Sequence, residues 1–434
     1  MVLKMRKMKD SGIEWIGEIP EGWEIHRIKT HFSIISGSGF KPELQGQSTG
    51  DFPVCKASDI SSSGHYLHTS ANYITSDIVK SQHFSIIPKG SILFAKIGEA
   101  MRKNNRSLCS LDCCVDNNCQ GLVPKNISSE FSYYLFTCID MTWFDNAGTI
   151  PCINNQKLYD CRIPFPSYGE QTLIANHLNI QCAKINEMLF HIRSSIEEYK
   201  KLKQSVITQA VTKGMCGERE MKDSGVDWIG KIPKEWVIQK IKSISSRINV
   251  GVVIRPSEYF DENGTVPFLR GINVKEYLIS SDNMVYINES SNHILSKSQV
   301  HTDDILIVRD GSIGTSCVVP AEFDGANVVS MVIATPSISC DSRFICYSLN
   351  SDVGKTQFTL TKIGSALTHT SVSAVSDIIV AVPSCAEQKE IADYLDAKCA
   401  EIDGLIAKKE QLVKELESYK KSLIYEVVTG KREV

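Results

Sequence analysis

The sequence predicts a mixed α/β (α+β) chain in which two β-rich domains alternate with two long helices, as a pseudo-two-fold internal repeat. Two echoes and one periodicity carry that expectation. Lys9-Asp10-Ser11-Gly12-Ile13-Glu14-Trp15-Ile16-Gly17-Glu18-Ile19-Pro20 returns as Lys222-Asp223-Ser224-Gly225-Val226-Asp227-Trp228-Ile229-Gly230-Lys231-Ile232-Pro233. Pro166-Ser167-Tyr168-Gly169-Glu170-Gln171 returns as Pro383-Ser384-Cys385-Ala386-Glu387-Gln388. The first echo is offset by 213 positions (222 against 9) and the second by 217 (383 against 166), so two units of almost equal length lie end to end in 434 residues. Each is long enough to bury its own core.

In chain order, the spacing predicts a first β-rich domain over 1–165, a long helix over 166–214, a linker over 215–221, a second β-rich domain over 222–382 and a second long helix over 383–434. Within the domains, Ser91-Ile92-Leu93-Phe94-Ala95-Lys96-Ile97-Gly98 sits opposite Asp304-Ile305-Leu306-Ile307-Val308-Arg309-Asp310-Gly311. Both read as a short apolar strand, one basic residue and a glycine turn. Phe52–Ile60 aligns in the same way with Val266–Val274, placing Lys56 opposite Arg270. The helices carry a heptad stripe. Ile185, Met188, Ile192, Ser195, Tyr199, Leu202 and Val206 recur 217 positions on as Ile402, Leu405, Lys409, Leu412, Leu416, Tyr419 and Leu423. Such a stripe lets two helices pack along their length. Its apolar members are the candidate helix-pair interface: Ile185, Met188, Ile192, Tyr199, Leu202, Val206, Ile402, Leu405, Leu412, Leu416, Tyr419 and Leu423. Each pattern runs about 40 residues without proline, roughly 60 Å at 1.5 Å per residue. An ordinary amphipathic helix lying on its own domain is the alternative.

Composition narrows the class. An apolar fraction of 42% and a charged fraction of 22% are those of a globular protein. No apolar run approaches the ~20 residues that span a bilayer. Met1–Lys9 has charge but no apolar stretch, which predicts no secretory signal and a cytoplasmic protein. The 15 cysteines are then expected to be reduced and largely buried. Cys109, Cys113, Cys114 and Cys119 cluster, but their irregular spacing, without interleaved histidine, predicts no metal site. A net charge of -3 excludes a protein whose whole surface binds phosphate, though not one with a local basic patch.

Gly225–Ile232 mimics a phosphate-binding loop, yet Ile232 has no hydroxyl for magnesium and Glu18 replaces the lysine in the first copy. Ser36-Gly37-Ser38-Gly39 reads as a glycine turn without specificity. Neither unit contains an Asn-Pro-Pro-Tyr or Asp-Pro-Pro-Tyr box or an H-E-x-x-H, and no constellation of histidines and acids recurs, so no catalytic residues are assigned. The best local basic patch is Lys96 to Arg106. The DNA-binding candidates are Lys56, Lys96, Arg102, Lys103, Asn104, Asn105, Arg106, Arg270 and Arg309, residue types that contact phosphates and base edges.

These residues carry a family resemblance over the full length. The Trp-Ile-Gly-x-Ile-Pro-x-x-Trp run at Trp15–Trp23 is complete again at Trp228–Trp236, and Pro-x-x-x-Glu-Gln-x-x-Ile-Ala opens at Pro166 and at Pro383. The helix ends Ser205–Gly214 and Ser422–Lys431 fit as well. The chain resembles the specificity subunit of Type I restriction-modification systems. That resemblance implies two target-recognition domains separated by two helices that pair as an antiparallel coiled coil. It implies that each domain reads one half of a bipartite, asymmetric double-stranded DNA site, and that the helices set the unread spacer and dock two modification subunits. Restriction subunits join the complex, and there is no membrane partner. The chain itself would be non-catalytic and need no cofactor, while its partners would use S-adenosylmethionine, ATP and Mg. Closure of the repeat predicts that the N-terminal segment lies close to the C-terminal helix. The competing reading is a coiled-coil protein-interaction scaffold without DNA specificity; a fused nuclease or methyltransferase is disfavoured by the missing motifs.

Overall fold

The computed structural model describes residues 6–146, 148–215, 217, 219–362 and 369–434. It divides into two compact units, Met1–Ile192 with Gln411–Val434, and Arg193–Glu410.

In the first unit the strands are β1 (Met8–Asp10), β2 (Glu18–Pro20), β3 (Glu24–Arg27), β4 (Phe32–Ser36), β5 (Phe52–Cys55), β6 (Tyr66–Leu67), β7 (Tyr73–Ile74), β8 (Ile92–Ala95), β9 (Arg106–Cys109), β10 (Cys114–Val115), β11 (Cys119–Pro124) and β12 (Arg162–Phe165). They form sheets in the orders β4-β11-β8-β9-β6, β10-β5-β7, β12-β3 and β1-β2. In the second unit they are β13 (Met221–Asp223), β14 (Lys231–Pro233), β15 (Val237–Lys240), β16 (Ser245–Val250), β17 (Val266–Leu269), β18 (Val274–Lys275), β19 (Leu278–Ile279), β20 (Val285–Ile287), β21 (Ile305–Val308), β22 (Ser316–Val318), β23 (Asn327–Val328), β24 (Met331–Pro336) and β25 (Ile379–Val382). The orders recur as β16-β24-β21-β22, which lacks a strand in the place of β6, and as β20-β17-β23, β15-β25 and β13-β14, with a β18-β19 hairpin in addition. The pairing senses repeat too. β5 runs parallel to β10 and antiparallel to β7, and β17 runs parallel to β23 and antiparallel to β20. The two units therefore share a fold although their middle sequences have diverged.

The central strands explain their own composition. Side chains alternate across a strand. Ile92 and Phe94 enter one core, while Leu93 and Ala95 enter another on the opposite face. Ile305 and Ile307 part from Leu306 and Val308 in the same way. A strand buried on both faces reads as a continuous apolar run.

Both sequence echoes prove to be structural. In the first copy the Asp10 carboxylate accepts from Gly12 N–H at 2.9 Å and Ser11 Oγ from Ile13 N–H at 3.1 Å. The second copy repeats both, Asp223 with Gly225 and Ser224 with Val226, at 2.9 and 3.1 Å. Gly12, Gly17, Gly225 and Gly230 all take positive φ, which glycine alone adopts without penalty. These turns deliver Trp23 and Trp236 into the cores, 1% and 0% exposed. The second echo seats the helices. Gln171 accepts from Ser128 N–H at 2.8 Å and donates to Pro166 O at 2.9 Å. Gln388 does the same with Asp341 and Pro383, at 2.9 and 3.0 Å.

The long helices span Tyr168–Lys213 and Cys385–Val428, 46 and 44 residues. Gly214 and Gly430, both at φ 74°, follow their ends and supply the left-handed residue that commonly stops a helix. Each unit contains parts of both helices. Ile174, Leu178, Cys182, Ile185 and Leu189 share the first core with Leu423, Ile424, Val427 and Val428. Ile207, Ala210 and Val211 share the second with Ile391, Ala392, Leu395 and Cys399. In the second unit Tyr199 meets Lys409, and Lys203 pairs with Asp403 at 2.6 Å. One number rises as the other falls, so the pairing is antiparallel. In the first unit Lys420 donates to Asn186 at 2.7 Å. The N-terminal segment also packs where closure of the repeat predicts. Tyr425 Oη donates to Trp15 O at 3.0 Å, and a Cβ on Gly430 would lie 2.4 Å from the Pro20 ring.

The expected stripe needs correction in its phase. Ile185, Ile402 and Leu423 are buried, and Ile192, Tyr199, Val206, Leu405 and Leu416 are half-buried. Met188, Leu202, Leu412 and Tyr419, however, are 46%, 48%, 43% and 49% exposed. The buried positions fall one residue later, at Leu189 and Ile196, with Val413 packed against the first core. A stripe alternating three and four fits the sequence in either order, and apolar residues occupy both choices. Leu189→Ala is accordingly expected to destabilise the first unit by ~2–5 kcal/mol. Met188→Ala should change stability by no more than ~0.5 kcal/mol; urea midpoints of the two variants check the assignment.

Candidate nucleic-acid interface

The strand-end basic residues occupy matching positions in the two units. Lys56 follows β5 and Arg270 follows β17. Each backbone N–H donates to a side chain three residues on, Asp59 at 2.7 Å and Asn273 at 3.0 Å. Lys96 follows β8 and Arg309 follows β21. Their carbonyls accept from Ile153 N–H at 2.9 Å and Thr370 N–H at 3.1 Å. A returning segment thus braces the same backbone point in each domain.

The side chains differ. Lys56 Nζ donates to Gln45 at 2.6 Å and lies 5.4 Å from the Phe40 ring centre. Lys96 is half-buried, with no side-chain hydrogen bond or ion pair among the described residues. Arg270 donates to Asn283 O, and its Nε is buried without a partner among the described residues. Arg309 Nε donates to Thr370 O at 2.9 Å. In the second unit both guanidinium groups therefore help to hold loops and have donors left for a ligand.

The basic patch from Lys96 to Arg106 resolves into an exposed half and a buried half. Arg102 and Lys103 are exposed, Arg102 pairing with Glu99 at 2.6 Å. Asn105 donates to Ser61 Oγ at 3.0 Å. Arg106 is only 5% exposed, which overturns its assignment as a DNA contact. It donates to Ile139 O at 3.0 Å and to Asn104 Oδ1. Burial pushes its guanidinium down to about 10, still charged at neutral pH. Asn104 is corrected with it. At φ 57° it terminates a short helix, and its Oδ1 also accepts from Met141 N–H at 3.0 Å. Arg106 begins the strand β9, and the inward side of a strand end reaches core rather than solvent.

The clustered thiols fill space. Cys55, Cys109, Cys113 and Cys119 pack together in one core of the first unit, and Cys114 in another. Burial pushes the Cys114 thiol up to about 11. Leu269, Ala326 and Met331 fill the corresponding core of the second unit, which marks the cysteines as small apolar side chains.

A further pair of basic residues lies outside the strand-end pattern. Lys41 and Arg255 each precede a proline that opens a short 3-10 turn, Pro42–Leu44 and Pro256–Tyr259. Both are exposed. Their signal in the sequence is a basic residue–Pro step repeated at an offset of 214 (255 against 41), faint because the residues around it differ. Among the described residues, no helix is long and apolar enough to cross a membrane.

Comparison with known proteins places this geometry. The family described as Type I restriction modification DNA specificity domain matches residues 20–198 and 233–415. The MjaIX specificity subunit of a Type I restriction enzyme from Methanocaldococcus jannaschii is 23% identical, over 85% of this chain and 84% of that protein. The MjaVIII specificity subunit from the same organism is 24% identical, over 99% of this chain and 98% of that protein. A solved structure, described as the structural basis of complex assembly and conformational transition of the type I R-M system, superposes with a TM-score of 0.70. It is 15% identical and covers 95% of this chain and 99% of its own, a likeness of fold.

Proposed function

The chain belongs to the Type I restriction modification DNA specificity family, with that domain present twice, and from this membership we propose how it reads DNA. It is a specificity protein, not a catalytic one. Its domains, over 1–165 and 222–382, each read one half of a bipartite, asymmetric site in double-stranded DNA. The helices over 166–214 and 383–434, with the linker 215–221, set the unread spacer and dock two modification subunits. Restriction subunits complete the assembly. Methylation and cleavage, with S-adenosylmethionine, ATP and Mg, belong to those partners, and the complex works in the cytoplasm.

One observation carries the proposal: the same sheets recur in both units while their middle sequences differ. A scaffold duplicated for stability alone has no need of divergent surfaces, whereas two readers of different half-sites do. Lys56, Lys96, Arg102, Lys103, Asn105, Arg270 and Arg309 are the contacts this reading retains. Those that meet phosphates position the protein, and those that meet base edges specify the site.

The test is a methylome. The chain is expressed with its modification subunit, and N6-methyladenine is mapped across a host genome. The expected result is one new motif of two short half-sites with a fixed gap. A soluble assembled complex that adds no methylation would favour the interaction scaffold instead.

A further inference from the structure

Each β-rich domain extends a loop whose ends are held by glycines, Gly37 to Gly50 in the first and Gly251 to Gly264 in the second. A Cβ at Gly37 would lie 1.9 Å from Asp116 O, and one at Gly251 would lie 2.4 Å from Val328 O. At Gly50 and Gly264 it would lie 2.8 Å from Ile74 O and 2.7 Å from Ile287 O. Contacts below 3 Å with backbone cannot relax, so all four positions exclude a side chain. Inside each loop, Leu44 and Tyr259 tuck against small apolar cores. Phe40 and Val252 pack against the same two cores. The loops are thus equal in length and held at both ends and within, although Ser38-Gly39-Phe40 and Val252-Val253-Ile254 have no residue in common.

The one charge type kept at the same place in both is positive: Lys41 and Arg255. Lys41 makes no ion pair among the described residues, and Arg255 makes a local one with Glu258 at 3.2 Å, both side chains well exposed at 76% and 61%. Exposed pairs of this kind contribute little to stability. Arg255 also takes φ 44°, a left-handed conformation that disfavours an arginine chosen for the fold alone. In the first unit the loop lies beside a strand-end candidate, since Lys56 contacts both Gln45 and Phe40.

We propose that Lys41 and Arg255 are phosphate-positioning residues, one for each half of the DNA site. The inference rests on the bipartite reading above. Two domains that read different bases meet one thing in common, the sugar-phosphate backbone. A charge kept in both must serve what both share, and base readout must fall to residues that differ. Lysine and arginine exchange readily against a phosphate, but not where a bidentate fork reads a base edge. Loops braced at both ends hold the charge in place before DNA arrives, which limits the ordering cost of binding.

The test uses the complex assembled with modification subunits and a duplex carrying the site found by the methylome. Affinity is measured across a salt series for wild type, Lys41→Gln, Arg255→Gln and the charge-keeping Lys41→Arg and Arg255→Lys. Each glutamine variant should weaken binding by about tenfold near 0.1 M salt. Each should also flatten the slope of log K against log salt by ~0.9, the share of one phosphate contact. The methylated motif should stay unchanged, and the charge-keeping variants should bind like wild type. Unmoved affinity and slope would overturn the phosphate role, as would a motif that loosens at one base. Wild-type binding without a split-site preference would instead remove the bipartite reading, and this inference with it.

Discussion

Trp236→Ala should destabilise the second unit by ~3–5 kcal/mol, the range for emptying a buried tryptophan site. Trp236 is fully buried in a core shared by both long helices, so the cavity would open where the helices are seated. Its indole N–H donates to Glu387 at 3.1 Å, and Arg219 also pairs with Glu387. Trp23 holds the equivalent place in the first unit, but its indole N–H is buried without a partner among the described residues. Phenylalanine separates packing from hydrogen bonding at these sites. Trp236→Phe takes a donor from a carboxylate and should cost ~1–3 kcal/mol more than Trp23→Phe, which removes an N–H that was already unpaired. Thermal unfolding of the three variants measures this; equal losses for the two phenylalanine variants would refute the difference.

Arg106→Ala should destabilise the first unit by ~2–4 kcal/mol, because it empties a buried site and leaves the Ile139 carbonyl short of a donor. Arg102→Ala, four residues away and exposed, should stay within ~0.5 kcal/mol. Were Arg106 a base reader, the ranking would invert: alanine there would spare stability and loosen one half of the methylated motif. Unfolding midpoints beside a methylome of each variant decide between a core residue and a contact. The prediction matters for the interface, because it moves the reading surface of the first domain away from Arg106 and towards Lys96, Arg102 and Lys103.

The architecture was legible because duplication supplies its own comparison. Lys9–Pro20 and Lys222–Pro233 agree since the same turn needs the same Asp, Ser and glycines twice. Gln171 and Gln388 agree since each helix start must satisfy the same backbone groups, and Glu170 and Glu387 agree since each pairs with an arginine, Arg6 and Arg219. Divergent positions such as Cys55 and Leu269 are free to differ because a core constrains size and polarity more than identity. The interface was less legible. Lys96 and Arg106 lie in one basic run, and nothing in the run tells that one is half-open and the other fully buried.

Sequence alone determined the two-fold repeat, the β-rich domains, the long helices, the family and the close approach of the N-terminal segment to the second long helix. These depend on local turn chemistry, periodicity and chain length, which are written along the chain. Tertiary structure alone decided that Leu189 rather than Met188 faces the core, that Arg106 and Asn104 brace a loop, and that four glycines hold the loops bearing Lys41 and Arg255. A 3.6-residue helix admits two neighbouring stripes of similar apolarity, and only the packed partner chooses between them. Burial and close backbone approach arise between segments far apart in the chain, so no local pattern records them.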